Sequence, residues 1–294
     1  GDYDIAYNVW TNTDIVRIMN YEESNTVSLL VRAVKDRGLD ISPLKKLLSK
    51  YIDEDKVRQS PIDYGLVTYS VSDMKPVMLN KKDIPKGQLI DYIIASASHP
   101  LFKLKEIDGI KYIDGGIYDN MPVPLVAKDG INDVICVDAS SGLGRTHNYT
   151  KEDFNLDSLT LIKFSGSLGR VLDFNLSMSK SSINMGYLDT MKAFNKLNGT
   201  NYYFSNNTIS SNSLMFHLKD EELINILDMM ELGDTNSTRA ARFSIMRHLY
   251  KYCNSKLTMK TILPASLEIA AEIFEIDRLK IYSDDELLNI VLNE

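Results

Sequence analysis

The sequence predicts an α/β protein with a mainly parallel sheet, followed by a mostly helical region. Two observations carry this. The run Tyr112-Ile113-Asp114-Gly115-Gly116-Ile117-Tyr118-Asp119-Asn120-Met121-Pro122-Val123 joins an alternating apolar strand to a helix start, and the apolar run Val134–Val137 follows soon after. Strand, helix and strand with short links imply parallel pairing through a right-handed crossover. Beyond residue 145 the texture changes, and helical spacings replace strand-like runs. We expect an α/β domain over residues 1–145 and a mainly helical region over residues 146–294.

Residues 1–58 read as mostly helical. Ser42–Tyr51 places Leu44, Leu47, Leu48 and Tyr51 at helical spacing. Trp10 is expected to pack against neighbours. Ile62–Ser72 reads as a strand that turns at Asp73-Met74-Lys75-Pro76 and returns through Val77–Leu79. Gln88–Ser98 reads as a helix whose small-residue end, Ala95-Ser96-Ala97-Ser98-His99-Pro100, allows close packing. Phe102–Ile107 and Ile110–Ile113 flank Asp108-Gly109, the pattern of a two-residue hairpin. In the helix after Asp114, Asn120 is the expected cap, Pro122 sits in the first turn and Gly130 closes it.

Further along, Arg145–Asp157 is polar and reads as a surface loop carrying His147. Ile183, Tyr187, Met191 and Phe194 form one helical stripe. Asp220–Leu232, Thr238–Tyr252, Pro264–Lys280 and Asp284–Leu292 read as helices, the last opened by the capping box Ser283-x-x-Glu286. Tyr202–Phe204 and Ser213–His217 read as short strands. Met229, Met230 and Met246 suit core filling.

The 294 residues suffice for one large domain or two medium ones, and 44% hydrophobic with 25% charged residues is ordinary for a soluble globular chain. The net charge is −7 and no run of Lys or Arg exceeds two residues, so the basic stripe of a nucleic-acid binder is absent. A lipid substrate is compatible with this, because it needs an apolar pocket rather than a basic face. Cys136 and Cys253 lie far apart, and Cys136 falls in an apolar strand, so it reads as a buried thiol. His99, His147, His217 and His248 show no metal-pair spacing, and neither a metal nor a cofactor is expected. No apolar run reaches transmembrane length. We expect a cytoplasmic protein with transient contact to a membrane surface. The chain opens Gly1-Asp2-Tyr3 without a methionine, so a signal peptide ahead of it stays open.

The chemistry points to Asp114. A strand end facing a helix start is where open parallel sheets keep their ligands. Gly115 and Gly116 let another chain or a ligand approach the backbone closely. An aspartate held there can act as general base for a neighbouring hydroxyl. The plain alternative for Asp-Gly is a turn, as at Asp108-Gly109.

The segment resembles the bacterial type of patatin-like phospholipase, a family of serine acyl hydrolases with a Ser–Asp dyad. The residues that carry the likeness are Ala95-Ser96-Ala97-Ser98-His99-Pro100-Leu101-Phe102, Tyr112-Ile113-Asp114-Gly115-Gly116, Asp119-Asn120-Met121-Pro122-Val123, the strand ending Val137-Asp138, and Gly186-Tyr187-Leu188-Asp189-Thr190. The resemblance implies a three-layer α/β/α fold and hydrolysis of phospholipid or acylglycerol esters. It implies Asp114 as the dyad base, with Gly115, Gly116, Ser96, Ser98 and Asn120 in the motif or lining the site. Asp119 is expected to help cap the helix or to support Asp114.

The family also uses a glycine-rich oxyanion loop and a G-x-S-x-G nucleophile elbow ahead of the aspartate. Neither occurs in these residues. The opening Gly1-Asp2-Tyr3-Asp4 resembles sequence shortly after the nucleophile helix in full-length relatives. The expectation is a chain that begins downstream of its own serine, with the first strands of the sheet also missing. Ser165-Gly166-Ser167-Leu168-Gly169 has an elbow's outline, but Ser165 stands where glycine is required. Ser140 and Ser141 follow a strand and are weaker candidates. The rival function is a catalytically inactive lipid-binding or interaction protein.

Overall fold

The computed structural model describes residues 2–12, 18–19, 26–139, 144–166, 176–205, 238–253 and 259–293. The chain divides into two compact units, Gly1–Ile183 and Asn184–Glu294. The change of texture at residue 145 falls inside the first unit. Ser140, Ser141, Ser167, His217, Met229, Met230, the helix expected over Asp220–Leu232 and the strand expected over Ser213–His217 lie outside the described residues. Among the described residues no helix is long and apolar enough to cross a membrane.

The first unit opens with helices α1 (Tyr3–Asn12), α2 (Thr26–Lys35), α3 (Ser42–Tyr51) and α4 (Glu54–Gln59). Met19, Leu29 and Leu39 are almost completely buried between α2, α3 and the later Ile94 and Phe102. Side chains of that size contribute roughly 1.5–3 kcal/mol each when buried. Trp10 was expected to pack, but it is 61% exposed. Helix α1 turns Tyr3, Ile5, Tyr7 and Trp10 outward, and its buried residue is Thr11. The periodicity marks an apolar face but does not say whether anything covers it.

Strands β1 (Gly65–Ser70), β2 (Lys75–Asn80), β3 (Lys105–Ile107) and β4 (Ile110–Asp114) form a sheet in the order β2-β1-β4-β3. Every pair in it is antiparallel. The architecture is mixed α/β as expected, but the parallel pairing expected between the Asp114 strand and the next strand is not formed. The links explain why. Only the turn Val71–Met74 separates β1 from β2, and Asp108-Gly109, both at positive φ, separate β3 from β4. Connections this short can only join antiparallel neighbours. Pro76 fits because β2 is an edge strand. Helix α5 (Leu89–Ser96) packs on β1, β3 and β4, burying Ala95 with Ile107 and Tyr112.

Parallel pairing appears further on. β5 (Asp133–Asp138) runs alongside β6 (Ser158–Lys163). Val134 is buried with Val123 and Leu156 on one side, whereas Ile135 and Val137 are each 60% exposed. The apolar run is therefore a one-faced strand, and Cys136 is only half-buried. The short helix α6 (Val123–Ala127) precedes β5.

One approach in this unit leaves no room for a side chain. A Cβ on Gly115 would lie 2.2 Å from the Val67 carbonyl oxygen and 2.5 Å from its carbon. Strand β1 therefore passes directly against the turn that follows β4.

The second unit contains the later part of α7 (Leu176–Ala193), strands β7 (Leu197–Asn198), β8 (Tyr203–Ser205) and β9 (Ile281–Tyr282), and helices α8 (Thr238–Tyr250), α9 (Met259–Ile273) and α10 (Asp284–Val291). Ser283 caps α10 by accepting the Glu286 N–H at 3.1 Å, as the capping box predicts. Pro264 lies inside α9 rather than at its start. Tyr202, Phe204, Leu267, Ala271 and Leu287 form the core. Into it α9 brings Glu268, which has no exposed surface. Its carboxylate accepts the N–H groups of Thr200 and Asn201, each at 2.6 Å, and of Tyr202 at 3.4 Å. Burial pushes its pKa up to about 7, against the lowering effect of these bonds and of Lys192.

Two predictions follow from this packing. Gly115→Ala should destabilise the protein by about 1–3 kcal/mol, because a main-chain carbonyl cannot move aside without breaking the sheet. Gly186→Ala, in α7 with open space around it, should instead stabilise by about 0.5–1 kcal/mol. Denaturant unfolding of both variants checks the contrast. For Glu268 the folded value of about 7 exceeds the ordinary 4.5. Its stabilising contribution is therefore full below about 4.5 and is lost as pH rises through about 7. Between pH 5 and 8 the second unit should lose on the order of 1–3 kcal/mol. Glu268→Gln should flatten that slope, at a cost in absolute stability, because its NH2 would face a backbone N–H.

Candidate active site

Alternation along β4 sets where Asp114 goes. Residues Ile110, Tyr112 and Asp114 line one face of the strand. Tyr112 is buried against Ala95 of α5. Asp114 thus shares the face that α5 covers, beyond the end of that helix. The strand itself is held by the register Thr68↔Asp114 with β1.

The main chain fixes the rest. The Asp114 N–H donates to the Ser98 carbonyl at 2.8 Å. Asp114 then caps a single 3₁₀ turn, Gly115–Ile117, with Oδ1 accepting the Gly116 N–H at 2.8 Å. Its Oδ2 accepts no hydrogen bond among the described residues. The carboxyl is half-buried, and burial raises its pKa above the ordinary 3.8, opposed by the Gly116 N–H and by His99. A carboxylate with one oxygen anchored and the other open, held where the charged form is costly, is suited to taking a proton from a neighbouring group.

His99 follows Ser98, whose carbonyl accepts the Asp114 N–H. Its Nδ1 accepts the Leu101 N–H at 3.2 Å, so the neutral ring carries its proton on Nε2. The ring meets Phe102 edge-on, with centroids 5.8 Å apart. Burial pushes its pKa down, and Asp114 opposes that shift.

Ser96 and Ser98 lie beside this turn, but both hydroxyls are engaged. Ser96 Oγ donates to the Val67 carbonyl and Ser98 Oγ to the Ile94 carbonyl, both at 2.7 Å. They tie α5 to β1 and close the end of α5.

Asn120 does not cap the following helix. The N-cap of α6 is Pro122, with no side-chain bond. The Asn120 N–H donates to the Arg145 carbonyl at 2.8 Å, and the Arg145 N–H donates to the Gly116 carbonyl at 2.9 Å. These two bonds through Arg145 bring the 144–145 loop onto the Gly116 turn. A Cβ on Gly116 would sit 2.3 Å from Asn120 Oδ1, so the second glycine keeps that contact open.

The expected helical cap came between Asp119 and Asn120, and it is Asp119 that takes the local bond. Its Oδ1 accepts the Met121 N–H at 3.0 Å, and its Oδ2 accepts the Tyr149 hydroxyl at 2.7 Å. His147 Nδ1 lies 3.4 Å from Oδ1, and its ring stacks on Tyr149 at 5.3 Å. Burial, reinforced by Asp119, holds the Tyr149 hydroxyl protonated well above its usual range. Asp119 is thus an anchor for the loop carrying His147 and Tyr149. Sequence reading named Asp119 and His147 separately. Partners 28 positions apart in the chain leave no local signal that they meet.

Among the described residues no group of three His, Cys, Asp or Glu side chains is arranged to hold a metal ion. His248 stands beside Tyr252 at 5.8 Å between ring centroids, in the second unit.

No curated protein matches the chain. Residues 1–127 match the family model described as patatin-like phospholipase. That span contains β4, the turn Gly115–Ile117, the Ser98–Asp114 contact and α6. That match supports the patatin-like phospholipase family for residues 1–127 of the chain.

Proposed function

We propose that the protein is a serine acyl hydrolase that cleaves lipid acyl esters, phospholipid or acylglycerol, with Asp114 as the general base of a Ser–Asp dyad. The observation that carries this reading is the state of the Asp114 carboxyl: half-buried, anchored through Oδ1 and open at Oδ2. The family match over residues 1–127 supplies the class of substrate.

In the acylation step Asp114 takes the serine hydroxyl proton as Oγ attacks the ester carbonyl. The proton passes to the leaving alcohol when the tetrahedral intermediate collapses. Water then loses a proton to Asp114 and attacks the acyl-serine, releasing the fatty acid and restoring both groups. Gly115 and Gly116 shape the turn, and Ser96, Ser98 and Asn120 hold the surrounding backbone.

One observation favours a second reading. No G-x-S-x-G occurs in the 294 residues, which suits a catalytically inactive lipid-binding or interaction protein. Fluorophosphonate labelling of the protein expressed from its own gene separates the two. A labelled serine supports the enzyme; a protein that binds lipid vesicles without taking the label supports the binding module.

In an active preparation, Asp114→Asn should lower kcat/KM for an acyl ester about a hundred- to ten-thousand-fold. The wild-type acid limb should lie above the ordinary aspartate value of 3.8, since burial raises Asp114. The same shift makes the charged carboxylate a cost to folding at neutral pH, because stability from a raised acid is present below its unfolded value and lost above its folded one. The variant should therefore unfold no more easily than wild type at pH 7. Hydrolysis retained in a folded Asp114→Asn protein overturns the assignment.

A further inference from the structure

We infer that Tyr149 and Asp119 are positioning residues that act through the Gly115–Ile117 turn, keeping the Asp114 carboxylate where it can accept a proton. The inference rests on Asp114 being the general base, and hydrogen bonds carry it from end to end. Tyr149 donates its hydroxyl proton to Asp119 Oδ2 at 2.7 Å. The main-chain N–H of Asp119 donates to the Gly115 carbonyl at 3.0 Å, and the Tyr118 N–H donates to the same oxygen at 2.9 Å, which closes the turn. The Gly116 peptide is held on both sides. Its N–H donates to Asp114 Oδ1 at 2.8 Å, and the Gly116 carbonyl accepts the Arg145 N–H at 2.9 Å. The loop is thus tied to the turn through Arg145 and again, further along, through Tyr149. Gly144, at positive φ, passes so close that a Cβ there would lie 2.2 Å from the Gly116 carbonyl oxygen.

The Gly116 N–H governs how Asp114 behaves. Burial pushes Asp114 toward taking up a proton, which would disable it as a base, and the Gly116 N–H is the larger of two influences that oppose this, ahead of His99. A hydrogen bond weakens steeply as its angle closes. A loop that slips would let the Gly116 peptide rotate away from Oδ1. Tyr149 is suited to prevent that slip. Its ring stacks on His147 at 5.3 Å and meets Phe154 edge-on at 5.3 Å. The Asp119 side chain that takes its hydroxyl is fully buried, and a bond to a charged acceptor is stronger than one between neutral groups. His147 Nδ1 lies 3.4 Å from the other oxygen of Asp119, and the Cys136 thiol also feels that charge.

Carboxyl titration by 13C NMR on the full chain labelled at aspartate tests this without any substrate, with Asp114→Asn identifying the signal. Tyr149→Phe keeps both ring contacts and removes the hydroxyl. The Asp114 midpoint should then rise by about half to one pH unit, because a bond that favours the charged form is weakened. In an Asp119→Ala background Tyr149→Phe should move the midpoint no further, since the bond it removes is already gone. Tyr203→Phe removes a similar hydroxyl bond, to Asp189 at 2.9 Å in the second unit, and should leave the midpoint in place. Should either Tyr149→Phe or Asp119→Ala not fold, the other is compared with Tyr203→Phe. An Asp114 midpoint unchanged in the folded variant, moved equally by Tyr203→Phe, or moved by Tyr149→Phe undiminished in the Asp119→Ala background, overturns the inference. Because no hydrolysis is measured, that failure is distinct from failure of the hydrolase reading, which the Asp114→Asn activity assay decides.

Discussion

The turn that carries Asp114 is gripped by main chain on every side, and the candidate chemistry depends on that grip. The Ser98 carbonyl takes the Asp114 N–H, the Arg145 N–H takes the Gly116 carbonyl, and the Val67 carbonyl lies so near Gly115 that no Cβ fits. Each contact links the end of β4 to a different segment: the exit of α5, the 144–145 loop and β1. The carboxylate's place is therefore set by peptide groups, which have few degrees of freedom. A catalytic geometry built this way does not rely on the rotamers of long side chains.

Three buried or half-buried carboxylates in this protein differ in how many donors they meet, and the difference separates structure from chemistry. Glu268 accepts three consecutive backbone N–H groups and clamps the Thr200–Tyr202 turn to α9. Asp119 accepts a backbone N–H and a tyrosine hydroxyl and lies beside His147, and so joins the start of α6 to the loop beyond β5. Both have their oxygens occupied. Asp114 has one N–H on Oδ1. A carboxylate that is merely structural gains from every donor it can collect, since unpaired buried oxygens are penalised. Among the described residues Oδ2 of Asp114 accepts no hydrogen bond, which leaves it available to a group brought from elsewhere.

Much of this was legible in the sequence, and the rest was not for definite reasons. The hairpin at Asp108-Gly109 could be read because that dipeptide favours positive φ at both central positions. Helix α3 could be read from the spacing of Leu44, Leu47, Leu48 and Tyr51, and the cap of α10 from Ser283 and Glu286. Asp114 could be singled out because alternation delivers it to a strand end before two glycines. What alternation does not encode is the partner of a strand. It could not say that β4 pairs antiparallel with β1, or that β5 pairs with β6 and leaves Ile135 and Val137 exposed. Nor could local pattern show that the Ser98 carbonyl meets the Asp114 N–H, a contact between segments 16 positions apart.

The hydroxyls around Asp114 narrow the origin of a nucleophile. A serine or threonine hydroxyl has a single proton to give. Thr68, paired in register with Asp114, gives its proton to the Ile113 carbonyl at 2.7 Å. Ser96 gives its proton to Val67 and Ser98 to Ile94. Each of these bonds ties strand or helix backbone that also shapes the turn, so redirecting the proton to Asp114 would unmake the geometry that positions this carboxylate. The three hydroxyls are therefore committed to holding the site together. On the proposed reading of Asp114 as a base, its hydroxyl partner comes from a segment other than β1 or the end of α5 and reaches the face of the sheet that Tyr112 and Asp114 share.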